Sequence, residues 1–278
     1  MLLTTANRHL ELSQPHIMGI LNLTPDSFSD GGRFINIDNA LRHALQMVRE
    51  GATFIDVGGE STRPGASAVA EQIELDRVIP LIERLRQELD CWISIDTSKA
   101  VVMREAVAAG ADLINDIRAL REPNALQVAA DSGAAICLMH MQGQPRTMQQ
   151  APDYSDVTRE VADFLRERLD ACAAVGIAPE RVCLDPGFGF GKGVQHNYEL
   201  LGKLAQLNEL GLPLLVGMSR KSMLGALLDR DVEHRLPAGL AAHLFALQQG
   251  AKILRVHDVQ AMADAVAIWR QATHYQEA

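Results

Sequence analysis

The sequence predicts an α/β protein, a single-domain (β/α)8 TIM barrel over residues 1–278. Three observations carry that expectation. Short apolar runs recur eight times, and helix-like stretches follow them. The runs are continuous rather than alternating, as strands of a parallel sheet are when helices cover both faces. Finally, eight strand–helix units in about 250 residues is the usual size of this barrel. A doubly wound open sheet is the structural rival, but its dinucleotide-binding glycine fingerprint is missing.

The eight strand candidates are Ile17–Leu21, Thr53–Val57, Trp92–Ile95, Leu113–Asn115, Ala135–Met139, Val182–Leu184, Leu214–Gly217 and Ile253–Val256. Asn39–Glu50 places Ala40, Leu41, Ala44, Leu45 and Val48 on one helical face, and Gly51 stops it. Ala70–Leu89 repeats the pattern with Ile73, Val78, Leu81, Ile82 and Leu85. Ser98 is placed to cap a helix that runs to Ala109 and ends at Gly110. Ala261–Ala272 closes the chain, and His9–Leu12 reads as a strand or short hairpin plugging the barrel bottom.

Composition narrows the function. A net charge of −9 argues against nucleic-acid binding, which needs broad attraction to phosphate, although local cations can still hold a small anion. No apolar run approaches the length of a membrane span, and the N-terminus lacks a signal-like apolar core. The four cysteines show no CxxC spacing and read as reduced structural residues, which suits the cytoplasm.

Barrel chemistry gathers at the C-terminal ends of the strands. Those ends read Asn22, Asp56, Asp96, Asn115–Asp116, His140, Asp185, Ser219–Arg220–Lys221 and Arg255–His257. Any one of them could be a turn former or a cap; eight converging on one rim make a site. Asp96, Asn115 and Asp185 form a wall of acceptors and one amide. A carboxylate there can meet two N–H donors of a flat, guanidine-like heterocycle in one charge-assisted pair. Arg63, Lys221, Arg255 and His257 are cations after strands two, seven and eight, where this fold favours phosphate.

Two loops, LTPDSFSDGGRF after strand one and GGESTRPGAS after strand two, are long for a barrel. With Phe28, Thr62, Arg63 and Pro64 they read as lids. DPGFGFGKG lacks P-loop spacing, and its Phe188 and Phe190 are expected to pack on a ring, as is Met139.

MGILNLTPDSFSDGG, GATFIDVGGESTRPGA, ISIDTSK, INDI, CLMHMQG, LDPGFGFGK, LLVGMSRKSMLG and LRVHDV occur in that order. Together they closely resemble the dihydropteroate synthase family, from about His16 to the final helix. HRLPAGLAA departs somewhat from the family pattern. The resemblance implies a sulfonamide-targeted transferase of folate biosynthesis, acting on a dihydropterin pyrophosphate and p-aminobenzoate. It implies pterin binding by Asp96, Asn115, Met139, Asp185, Gly217, Lys221 and Arg255. Pyrophosphate falls to Asn22, Thr62, Arg63, Arg255 and His257, with Mg²⁺ on Asn22. The p-aminobenzoate pocket falls to Phe28, Thr62, Arg63, Pro64, Phe190, Ser219 and Ser222. Lys221, Asp96, Asp185 and Arg63 carry the catalytic roles, in a homodimer through the late helices, where Leu240, Leu244, Phe245 and Leu247 could either support the interface or face the barrel. A pterin-dependent methyltransferase would share the acceptor wall without needing Mg²⁺ or the rim cations. A non-catalytic paralogue would have lost Lys221, Arg63 or the loops.

Overall fold

The computed structural model describes residues 1–23, 33–61, 68–143, 148 and 152–275; for residues 33–36 it describes the backbone. Strands β1 (Leu2–Thr4) and β2 (His9–Glu11) pair antiparallel as a hairpin. The barrel follows, with β3 (His16–Asn22), helix α1 (Arg33–Arg49), β4 (Phe54–Gly58), α2 (Glu71–Glu88), β5 (Trp92–Asp96) and α3 (Ala100–Ala108). Next come β6 (Leu113–Asp116), α4 (Ala125–Ser132), β7 (Ala135–Met139), α5 (Val157–Ala174), β8 (Val182–Asp185) and α6 (Val194–Gly202). The last third holds β9 (Leu214–Val216), α7 (Ser222–Leu228), α8 (Leu236–Gln248), β10 (Ala251–Val256) and α9 (Val259–His274). Strands β3 to β10 close a barrel in chain order, every neighbouring pair parallel.

Period-two alternation sorts each strand between two environments. Outward residues such as Ile55, Val57, Ile93, Ile95, Ile114, Ile136, Leu138, Leu184 and Leu254 join the shell packed under the helices. Inward residues Met18, Phe54, Trp92, Leu113, Ala135, Cys137, Cys183, Leu215 and Ile253 fill the lower interior, together with Leu3 and Leu12 from the hairpin. Leu3 and Leu12 are almost wholly buried. Each such side chain contributes about 1.5–3 kcal/mol by leaving water.

Several local expectations need correcting. Strands β5, β6 and β8 run one residue further than their apolar runs, so Asp96, Asp116 and Asp185 belong to the sheet. Ser98 does not cap α3; its hydroxyl donates to Asp116, while the cap residue is Lys99. On α2 the inward position falls to Glu74, and Ile73 is exposed. The buried Glu74 carboxylate is tolerated because Lys99 pairs with it and with Glu60. On α8, Leu247 is core, Leu240 and Leu244 pack against the core, and Phe245 is exposed.

Candidate active site

Above the apolar layer the inward positions change character. Strand β4 presents Asp56, β5 presents Ser94 and Asp96, β6 Asn115, β8 Asp185 and β10 Arg255. Register sets Asp56 beside Ser94, and Asp96 beside Asn115. Asp56, fully buried, accepts from Ser94 Oγ at 2.5 Å, from Asn115 Nδ2 at 3.2 Å and from Arg255 Nε at 2.6 Å. Arg255 Nη2 donates to Asp96 Oδ2 at 2.9 Å. One guanidinium therefore bridges two carboxylates, and a negative charge is left over in the wall. Among the described residues the buried Asp96 Oδ1 has no partner. Glu74 Oε1, Thr158 Oγ1 and Trp269 Nε1 are likewise without a partner, but Asp96 Oδ1 alone of the four belongs to the inward wall of strand ends, where a ligand N–H could meet it.

Electrostatics agree with the geometry. Burial pushes Asp96 up to about 7 against the pull of Arg255, and the nearby Asp56 charge adds to the rise. Asp185 accepts from Gly187 N at 2.7 Å. Burial raises it too, opposed by that bond and by Lys221 and Arg255. Lys221 follows β9, and its Nζ lies 4.0 Å from the centre of the Phe190 ring. Burial and then Arg255 bring its ammonium down to about 8, while Asp185 and Asp96 favour the charge. Perturbed groups of opposite sign meeting in one cleft are the usual mark of a reactive site.

Around this wall, Met139 is buried with Ile117, Met141 and Met148, and Phe190 packs at the edge of that cluster. Gly217 lies against the Arg255 stem, where a Cβ would make ordinary contact at 3.6 Å. His257 and Ser219 tie the last two loops together: Ser219 Oγ lies 3.2 Å from His257 N and 3.0 Å from its Nδ1. Ser222 is exposed at the start of α7, next to Lys221. Arg220 turns away from the site and pairs with Asp258, leaving Lys221 as the inward cation of that loop.

The pterin binding enzyme family matches residues 18–257. The dihydropteroate synthase of Haemophilus influenzae is 57% identical over 267 residues, 96% of this chain and 97% of that protein. The chain belongs to the dihydropteroate synthase family. Among solved structures of the family, the Yersinia pestis dihydropteroate synthase with a sulfonamide drug complex superposes with a TM-score of 0.94. It is 53% identical and covers 99% of this chain and 100% of that one. Xanthomonas albilineans dihydropteroate synthase in complex with 7,8-dihydropteroate gives 0.89 at 46% identity, covering 98% and 99%.

Of the expected site residues, the structure gathers Asn22, Asp96, Asn115, Asp185, Gly217, Lys221 and Arg255 at one mouth, with Met139, Phe190, Ser219, Ser222 and His257 on its walls and rim. Phe28, Thr62, Arg63 and Pro64 lie outside the described residues. Two expectations change. Arg255 sits within β10, as the run Ile253–Val256 has it, but two of its nitrogens are committed to Asp56 and Asp96 rather than free for phosphate. Phe188 is core and does not face the mouth. Two residues without an expected role also emerge. Asp56 anchors Arg255, and the strand alternation Phe54, Asp56, Gly58 could have revealed it. Lys192 is buried beneath the glycine-rich loop, and no pattern in the sequence marks it as inward.

Proposed function

We propose that this chain is a dihydropteroate synthase. It condenses 6-hydroxymethyl-7,8-dihydropterin pyrophosphate with p-aminobenzoate to give 7,8-dihydropteroate and pyrophosphate. The observation that carries the reading is the partnerless Asp96 Oδ1, set in a buried wall with Asp185 and Asn115. A pterin edge offers the row of N–H donors that this wall lacks, and charge-assisted pairs there fix the ring in one orientation. The product and sulfonamide complexes of the two structural relatives support the assignment, and sulfonamides are expected to bind on the p-aminobenzoate side.

In the reaction the bond from the pterin methylene carbon to the pyrophosphate oxygen breaks, a carbon–nitrogen bond forms, and the amine releases one proton. An arylamine has its lone pair free at neutral pH, so no strong base is needed. The demanding event is departure of pyrophosphate. Lys221 and His257, joined by Arg63, stabilise the charge that grows on the leaving group. The carboxylates of Asp96 and Asp185 favour the cation left on the pterin, so ionisation precedes attack.

Mg²⁺ belongs to this reading. Asn22 ends β3, and the missing side chain of Gly58 leaves its Oδ1 uncrowded, since a Cβ there would lie 3.0 Å away. Mg²⁺ is commonly held by one or two protein oxygens with substrate phosphates and water, which fits a single amide ligand. When bound it would neutralise leaving-group charge. Exposed Phe245 and Ile268, on adjacent helices α8 and α9, support a homodimer, which sedimentation would test. Four free cysteines support a cytoplasmic setting.

The deciding assay is pyrophosphate release from the pterin pyrophosphate with and without p-aminobenzoate. Release with stoichiometric dihydropteroate supports the reading; pterin binding without release would make the chain a binding protein. A burst of pyrophosphate before amine addition supports ionisation first, and strict dependence on amine concentration opposes it.

A further inference from the structure

The loop between β8 and α6 is fastened far more firmly than a connector requires. Gly187, Gly189 and Gly191 have φ of 70°, 78° and 61°, where side-chain-bearing residues are strained. A Cβ on Gly187 would stand 1.9 Å from the His140 carbonyl oxygen, and one on Gly191 2.3 Å from that of Gln142. The loop therefore lies directly on the segment leaving β7. Lys192 clamps it there. Its Nζ lies 2.8 Å from His140 Nδ1, 2.9 Å from the Gly187 carbonyl oxygen and 3.2 Å from that of Phe190. These three acceptors match the three donors of the protonated amine, which burial brings down to about 7 against the pull of Asp185. Burial, then the charge of Lys192, brings His140 down to about 2, so its ring is neutral and Nδ1 can accept. On the other side, Asn197 accepts from Gly189 N at 2.7 Å and donates to the Lys192 and Gly193 carbonyls, and Tyr154 donates to Gly191 O at 2.7 Å. What this holds in place is Phe190, whose ring underlies the Lys221 ammonium at 4.0 Å.

We propose that Lys192 is a positioning residue for the amine half of the reaction. By gripping Gly187 O, Phe190 O and His140 it fixes Phe190 beneath Lys221, and it shapes the p-aminobenzoate side without touching substrate. The inference rests on the dihydropteroate synthase reading. Burying a lysine is costly unless its hydrogen bonds are complete, and simple packing would be served by an apolar residue. Lys192 is 2% exposed, and it serves the loop's carbonyls instead.

The test compares wild type, Lys192→Met, Lys192→Gln, Phe190→Leu and the corresponding double variants. Lys192→Met is expected to raise the KM for p-aminobenzoate by about tenfold, equivalent to about 1.4 kcal/mol, while leaving the pterin Kd within about twofold. Lys192→Gln, which keeps two N–H donors, should recover part of that loss. On the Phe190→Leu background either Lys192 substitution should add little, because both act through one ring. Full additivity with Phe190→Leu, or an equal loss of pterin affinity, would overturn the proposal. If Lys192→Met does not fold, Lys192→Gln makes the same comparison. Hydrogen exchange of the 187–193 amides, faster in the variants, reads the clamp without activity. Wild type that releases no pyrophosphate sinks the functional reading, while the exchange result still decides whether Lys192 holds the loop.

Discussion

At its lower end the barrel interior holds Met18, Phe54, Trp92, Leu113 and Ile253, closed over by Leu3 and Leu12 of the hairpin. At its upper end, two residues further along several of the same strands, it holds Asp56, Asn115 and Arg255, with Ser94 leading on to Asp96. The backbone is the same and the register continuous, so the difference lies in the side chains alone. The lower end gains free energy as apolar surface leaves water. The upper end keeps ionisable groups out of water and recovers part of the cost through a bridging guanidinium and the hydrogen bonds from Ser94, Asn115 and Gly187, and the rest, on the proposed reading, through substrate. One end stabilises the fold, and the other is held in a costly state by it.

The comparison breaks most visibly at Arg255. Arg255→Met removes the cation shared by Asp56 and Asp96 and leaves two buried carboxylates uncompensated. Losing one partner of a buried ion pair costs about 3–5 kcal/mol, which urea denaturation would read as a lower midpoint at unchanged slope. Pterin binding should disappear with it. A midpoint near wild type would mean that water reaches the wall and that the upper end is not costly. At the lower end, Leu12→Ala should lose about 2–5 kcal/mol. Because Leu12 lies in the opposite layer, the KM for both substrates should be unchanged in the folded fraction, and a raised KM would show that the two ends are not independent.

The same contrast explains what the sequence made legible. Eight apolar runs revealed the barrel because both faces of each strand are apolar along most of their length. The strand-end carboxylates Asp96 and Asp185 stood out because each ends an apolar run. Asp56 is part of an apolar run too, but its partner Arg255 is 199 residues away, and only barrel closure brings them together. Glu74 failed the periodicity reading because the residue that makes its burial tolerable, Lys99, lies on another element. Lys192 was hidden for the same reason. Its acceptors are mostly backbone carbonyls, and composition carries no trace of them.

A gentler change sharpens the picture. Asp185→Asn keeps the shape of the wall and its bond from Gly187, and removes the charge. Hydrogen bonds to charged groups are worth about 1.5–3 kcal/mol. Pterin affinity by calorimetry should therefore fall by about 10- to 150-fold. Folding should be kept or even improved, since the variant no longer buries a carboxylate. Unchanged pterin binding would remove Asp185 from the acceptor wall.

The smallest effect is expected from pH, and it tests both ends together. Pterin recognition needs ionised Asp96, which burial pushes up to about 7, and the leaving group needs protonated Lys221, which burial and Arg255 bring down to about 8. The kcat/KM for the pterin substrate should thus fall below about pH 7 and above about pH 8, with a maximum between. Stability should follow the opposite course. Asp96 is raised from 3.8, so between there and about 7 the native state keeps a proton that the unfolded chain has lost, and its contribution to stability falls as pH rises. Lys221 is lowered from 10.5, so between about 8 and there the native state has lost a proton that the unfolded chain keeps, and stability is regained as pH rises. Both groups therefore cost the empty protein most in the window where it is most active. Thermal midpoints measured from pH 4 to 10 should show Asp96→Asn flattening the acid-side slope. Leu12→Ala should lower the whole curve without changing its shape, because Leu12 itself carries no titrating group. If Asp96→Asn leaves the slope as it was, the carboxylate is already solvated in the free protein, and the contrast between the two ends is one of packing rather than of charge.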